Sequence, residues 1–162
     1  MQTIAENLVA IFKARGFTCA TAESCTGGGI GSAITAVPGS SDIFVGGVIS
    51  YSNEVKHNVL GVASDTLATV GAVSSETAAQ MAEGARKLLG ADVAVSATGI
   101  AGPGGGSDTK PVGLVWFGIA SNEGVRTEKA IFPGDREAVR GATVRHALGM
   151  LTTWGVGGHD LA

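Results

Sequence analysis

Three short segments of this 162-residue chain hold the residue types of nucleophilic catalysis. Glu23-Ser24-Cys25-Thr26-Gly27-Gly28 sets a hydroxyl and a thiol side by side, next to a carboxylate. Tyr51-Ser52-Asn53-Glu54-Val55-Lys56 adds a phenol and an amine. Thr98-Gly99-Ile100-Ala101-Gly102-Pro103-Gly104-Gly105-Gly106 is a loop whose backbone N–H groups can come close to an anion. A lysine drawn into a dry crevice loses its proton more readily and can act as general base for a serine. The chemistry would be acyl transfer, with Ser24 as nucleophile, Lys56 as base, and Tyr51 relaying a proton or lining the pocket. Each residue also has a plainer reading: Ser24 as a helix N-cap, Lys56 as a solvated lysine, Tyr51 as a strand-end aromatic. Cys25 competes as nucleophile, because Cys25, Glu23 and Lys56 could form a set that hydrolyses amides and nitriles. Its plainer role is a small buried thiol.

Further candidates are cationic. Lys110 follows the glycine loop and could close over an acidic ligand. Arg136 and Arg140, one helical turn apart, would share a face suited to gripping a phosphate. Solvated charges are the alternative for all three. His57 has no evident ligand partner, and His146 falls on the apolar face of a helix and reads as core. Two Cys and three scattered His give no zinc spacing. The loop matches neither a Walker motif nor a dinucleotide fingerprint, so no cofactor is expected.

Elements that would position these groups follow from periodicity. Ile4, Leu8, Ile11 and Phe12 recur at a helical interval, ended by Gly16. A buried strand over 17–23 leads into Ser24 and a small-residue helix reaching Val37. DIFVGGVISY (42–51) reads as a second strand, apolar on both faces as in a covered sheet. Ser52 caps a helix with Val55 at its third position. A helix over 76–89, strands over 91–99, 112–120 and 125–132, and a hairpin turn over 121–124 come next. Asp135 then caps a long helix carrying Val139, Ala142, His146, Ala147, Met150, Leu151 and Trp154 on one side. Helices between the first three strands imply crossover connections and a parallel core, to which the hairpin adds antiparallel pairing. The expected fold is one three-layer α/β/α domain over 1–154, with a mixed, mostly parallel sheet of about five strands. Residues 155–162 read as a disordered tail. In such sheets ligands gather at the carboxyl ends of the parallel strands, where all three polar segments fall.

Composition narrows the class. Of 26 glycines, twelve fall in clusters at 27–31, 99–106 and 155–158, which argues against a uniformly glycine-rich chain. Hydrophobic residues make up 44% and charged residues 15%, the profile of a packed domain rather than a disordered one. A net charge of −3 with no basic run argues against a nucleic-acid-binding surface. No segment has the apolar length of a membrane span, and MQTIAENLVAIFKARG reads as an amphipathic helix rather than a signal peptide. Reduced cysteines and no export signal make the cytoplasm the expected location. Low charge and apolar helix faces suggest a homo-oligomer.

TAESCTGG (21–28), SYSNEVKHNVLGV (50–62), GAVS (71–74), SATGIAGPGGGSDTKPVG (96–113) and GDREAVR (134–140), in that order, resemble the CinA C-terminal domain family, in its stand-alone bacterial form. The resemblance implies a three-layer α/β/α fold. It also implies deamidation of nicotinamide mononucleotide to nicotinate mononucleotide and ammonia, in NAD recycling and without a metal. It places the nucleophile on Ser24, the base on Lys56 and an assisting hydroxyl on Tyr51. Glu23, Cys25, Thr26, Gly27, Thr98, Gly99, Ala101, Gly102, Lys110, Arg136 and Arg140 would shape the site of this pyridine mononucleotide. Glu23 would lie near the cationic pyridinium ring or fix Lys56. The other reading is a non-catalytic nucleotide-binding or partner-docking module tied to competence or DNA-damage responses. A small phosphatase would need metal ligands that the sequence does not offer.

Overall fold

The computed structural model describes residues 1–157. Helix α1 (Ile4–Arg15) opens on a capping box, in which Thr3 and Glu6 each accept the other's backbone N–H, and closes on Gly16 in the left-handed conformation. Strand β1 (Cys19–Glu23) is wholly buried. Helix α2 (Gly29–Thr35) is only seven residues long, starting later and ending earlier than its small-residue composition suggested. Two left-handed glycines, Gly27 and Gly28, delay its start. Then come β2 (Phe44–Ile49), α3 (Asn53–Leu60), α4 (Ser64–Thr69), α5 (Ser75–Leu89), β3 (Val93–Gly99), β4 (Leu114–Ser121), β5 (Gly124–Ile131) and α6 (Arg136–Val156). Sequence periodicity missed α4, which is six residues long and contributes no buried side chain. The caps expected on α3 and α6 are present: Ser52 accepts the Val55 N–H and Asp135 the Ala138 N–H.

The five strands form one mixed sheet in the order β2-β1-β3-β4-β5. β2, β1 and β3 run parallel, while β4 and β5 are antiparallel additions. Helices α1, α2 and α6 cover one face around Leu8, Phe12, Ile34, Val95, Phe117 and Leu151. α3, α4 and α5 pack toward the other, around Leu60, Met81 and Ala94. The result is a three-layer α/β/α domain.

Three expectations are corrected. β2 is an edge strand with alternating half-buried and exposed residues, not a strand covered on both faces. Its apolar run carries no signal of its place in the sheet. The presumed tail does not begin at Gly155, because α6 continues to Val156 and Gly155 is buried. A Cβ there would lie 2.7 Å from the Phe12 ring, so the glycine is what lets α1 and α6 close. The rest of the expected tail, 158–162, lies outside the described residues. His146 is half-buried rather than core: its Nε2 lies 2.6 Å from a Glu128 carboxylate oxygen, and its ring packs on Phe117.

Candidate active site

The parallel strands carry the three polar segments to one end of the sheet, as topology requires. β1 ends at Glu23, beside Ile49 of β2 and Ala97 of β3. Ser24 therefore emerges between the ends of its two neighbours, and its N–H still donates to Ala97 O at 3.0 Å. It is not the N-cap of α2; that position belongs to Gly28.

Lys56, one turn into α3, points into this junction and is only 1% exposed. Its Nζ lies 3.0 Å from Ser24 Oγ, 2.9 Å from Ser50 O and 3.0 Å from Tyr51 O. No carboxylate among the described residues pairs with it. Burial holds its pKa below the ordinary lysine value, an effect opposed in part by Cys25. A neutral amine can meet all three contacts, its two N–H bonds going to the carbonyls, which can only accept, and its lone pair to the Ser24 hydroxyl; the charged form would instead donate to Ser24 Oγ.

Glu23 makes no hydrogen bond to Lys56. Its buried carboxylate accepts from Thr26 Oγ1 (2.6 Å), Ile30 N (2.8 Å), Gly31 N (2.9 Å) and Thr21 Oγ1 (3.1 Å). It thus ties the end of β1 to the first turn of α2, and its four donors leave it turned away from Lys56 and the pocket. Thr26 and Gly27 lie in the turn so formed and do not line the cavity. Arg140 braces the same turn from α6, with Nε on Cys25 O and Nη2 on Thr26 O, both at 3.1 Å. It is not among the residues that line the cavity.

Cys25 lines the cavity, but burial pushes its thiol up to about 11. At neutral pH it is protonated, whereas the thiolate is the nucleophile. Tyr51 is 64% exposed. Its carbonyl holds Lys56, while its hydroxyl accepts from Arg136 Nη2 at 3.4 Å. Tyr51 lines the cavity, and Lys56 reaches Ser24 without a hydroxyl between them.

The cavity at this junction measures about 290 Å³. Two basic side chains, Lys56 and Arg136, line it, and no acid among the described residues does. One wall is the glycine loop, from Gly99 through Ala101 and Gly102 to Gly105. Arg136 Nη1 donates to Gly102 O at 2.8 Å, while Thr98 Oγ1 donates to Ala72 O at 2.9 Å. Among the described residues the N–H groups of Ala101, Gly102, Gly104 and Gly105 meet no protein acceptor, leaving donors for an anion. Lys110 is not in this wall. Its Nζ donates to Val70 O at 2.6 Å. Ser50, Asn53, Ala72 and Val73 also contribute and were not singled out from sequence. Ser50 could have been, since it follows the strand beside β1; Ala72 and Val73 carry no chemical signal. A larger apolar groove between α1, α2 and α6 holds no nucleophile. Among the described residues no three His, Cys, Asp or Glu side chains are grouped to hold a metal ion, and no helix is long and apolar enough to cross a membrane.

A family model described as "CinA C-terminal domain" matches residues 1–154. The chain belongs to the CinA C-terminal domain family. A putative competence-damage inducible protein of Halothermothrix orenii is 58% identical over 135 residues, covering 83% of this chain and 33% of the relative. A CinA-like protein of Synechococcus is 53% identical over 142 residues, 86% of this chain and 34% of the relative. The chain thus spans about a third of the length of these curated relatives. Among solved structures, a competence/damage inducible protein from Agrobacterium tumefaciens superposes with a TM-score of 0.89 at 46% identity, covering 91% of each chain. A CinA superfamily protein from Klebsiella pneumoniae gives 0.90 at 38% identity, over 96% of this chain and 99% of that one.

Proposed function

We propose that this CinA-family domain is an amidohydrolase that deamidates nicotinamide mononucleotide to nicotinate mononucleotide and ammonia. The observation that carries the reading is the buried Lys56 Nζ, 3.0 Å from Ser24 Oγ and fastened to two carbonyls. Neutral Lys56 takes the Ser24 hydroxyl proton as the oxygen attacks the carboxamide carbon. Backbone N–H groups following Ser24 stabilise the oxyanion. The Lys56 ammonium returns the proton to the departing nitrogen, and ammonia leaves. Lys56 then deprotonates a water that attacks the acyl-enzyme, freeing the carboxylate product and Ser24. Arg136 and the unpaired amides of the glycine loop suit the phosphate.

Ammonia release from the mononucleotide, the riboside and free nicotinamide, assayed in parallel, tests reaction and phosphate requirement together. The expected order is mononucleotide well above the other two, with activity lost in Ser24→Ala. Full activity in Ser24→Ala refutes the scheme. A second reading is a non-catalytic nucleotide-binding or partner-docking module, and the names of the relatives, competence- or damage-inducible proteins, support its link to such responses. Calorimetric binding of the mononucleotide with no turnover over hours would select it.

A further inference from the structure

We propose that Lys110 is the clasp of the pocket: a positioning residue that pins the glycine-rich wall to the opposite wall and so sets how readily ligand enters and leaves. Its role in ligand entry rests on the reading just given; the clasp itself does not.

The loop from Gly99 to Gly113 is anchored at its base, where Ile100 N donates to Leu114 O and Gly113 N to Ile100 O. Beyond that base, two side chains tie it to the rest of the molecule. Arg136 holds Gly102 from α6. Lys110 reaches from the far end of the loop to Val70 O at 2.6 Å. Residues 103–109 between these ties are exposed, and Gly104 and Gly105 among them line the cavity. The two ties thus hold the loop on either side of this exposed stretch.

Both ends of the Lys110 tie are built. A turn presents the lysine, with Ser107 N donating to Lys110 O at 2.8 Å and Lys110 N to Ser107 Oγ at 3.1 Å. On the receiving side the Gly71 carbonyl accepts from Thr77 Oγ1 at 2.7 Å and Ser74 Oγ at 2.9 Å, which fixes the segment at the start of α5. Gly71 lies beside the ammonium: a Cβ on it would sit 3.4 Å from Lys110 Nζ, in ordinary contact. The next two residues, Ala72 and Val73, line the cavity opposite the loop. Lys110 thus spans from one wall to the segment that carries the other. Its bond is to a carbonyl rather than a carboxylate: Glu76 feels its charge, yet accepts its hydrogen bond from Ser75 at 2.7 Å.

The test compares Lys110→Met, which keeps the stem and loses the donor, with Lys110→Arg, which can still donate. In the protein without substrate, exchange of the Ser107 and Lys110 amides should quicken about tenfold in Lys110→Met, as loss of a charge-assisted bond implies, with α1 unchanged. Lys110→Arg should restore protection. For ammonia release from the mononucleotide, KM should rise about fivefold in Lys110→Met with kcat changed less than about twofold. Unchanged exchange at Ser107, or equal quickening in α1, overturns the clasp. Faster loop exchange with unaltered KM overturns its role in ligand entry. If the wild type releases no ammonia, the exchange arm still decides on the clasp, while the deamidase reading alone falls.

Discussion

Replacing Lys56 by Met and by Arg separates proton transfer from packing. Lys56 is the one base in contact with Ser24 Oγ among the described residues, at 3.0 Å. A positioned general base is worth about 10²–10⁴ in rate, or about 3–5 kcal/mol of barrier, so Lys56→Met should lower kcat by that much. Arg fills similar space and donates to the same carbonyls but cannot give up its proton, so Lys56→Arg should be as inactive as Met. In the wild type, kcat/KM for ammonia release should fall with decreasing pH as Lys56 becomes protonated, with a midpoint below the ordinary 10.5 because burial lowers it. Stability carries the same signature. Between the lowered folded value and 10.5 the unfolded chain binds more protons than the native state. Wild-type stability relative to Lys56→Met must therefore rise with pH across that window. Below the folded value the full penalty of charging the buried amine is present; above 10.5 it has gone. Urea unfolding of both proteins at several pH values, beside the rate profile, reads both effects. An active Lys56→Arg, or a stability difference independent of pH, would refute a neutral, buried lysine base.

Cys25→Ala should keep more than about half of the ammonia-release activity, because a thiol titrating at about 11 supplies no thiolate at neutral pH; a loss like that of Ser24→Ala would restore the cysteine as nucleophile. Glu23→Gln puts an amide donor among four existing donors, and should cost about 1–3 kcal/mol in urea unfolding as well as disturbing Ser24. Gly155→Val presses a side chain onto Phe12 and should destabilise the fold by about 1–3 kcal/mol, read as a lowered thermal midpoint; no change would mean that α1 and α6 are loosely packed.

Much of the fold could be read locally. Ser52 and Asp135 announce helix starts by their own hydrogen bonds to nearby backbone, and Gly16 announces a stop. Apolar period separated most strands from helices. It failed where the deciding contact is distant. β2 reads as fully buried because its residues are apolar, yet the strand order leaves it at an edge. Gly155 looks like the start of a frayed tail until the Phe12 ring is set against it.

The candidate site divides the same way. Sequence by itself determined the reactive inventory: Ser24 after a strand, Lys56 one turn into a capped helix, a glycine loop after a third strand. Residue type and local position suffice for that. Tertiary structure alone decided which of these groups meet. Ser24 and Lys56 are 32 residues apart in the chain, and they meet because β1 and β2 are parallel neighbours. Burial pushes the Cys25 thiol up to about 11, which disfavours its thiolate beside Ser24. Glu23, Arg140 and Lys110 resemble ligand groups in the sequence, but in the fold each bonds to protein partners: Glu23 to two backbone amides and two threonine hydroxyls, Arg140 and Lys110 to backbone carbonyls. Charge is a property of the residue, whereas the partner it satisfies depends on which distant segment the sheet brings within about 3 Å of it.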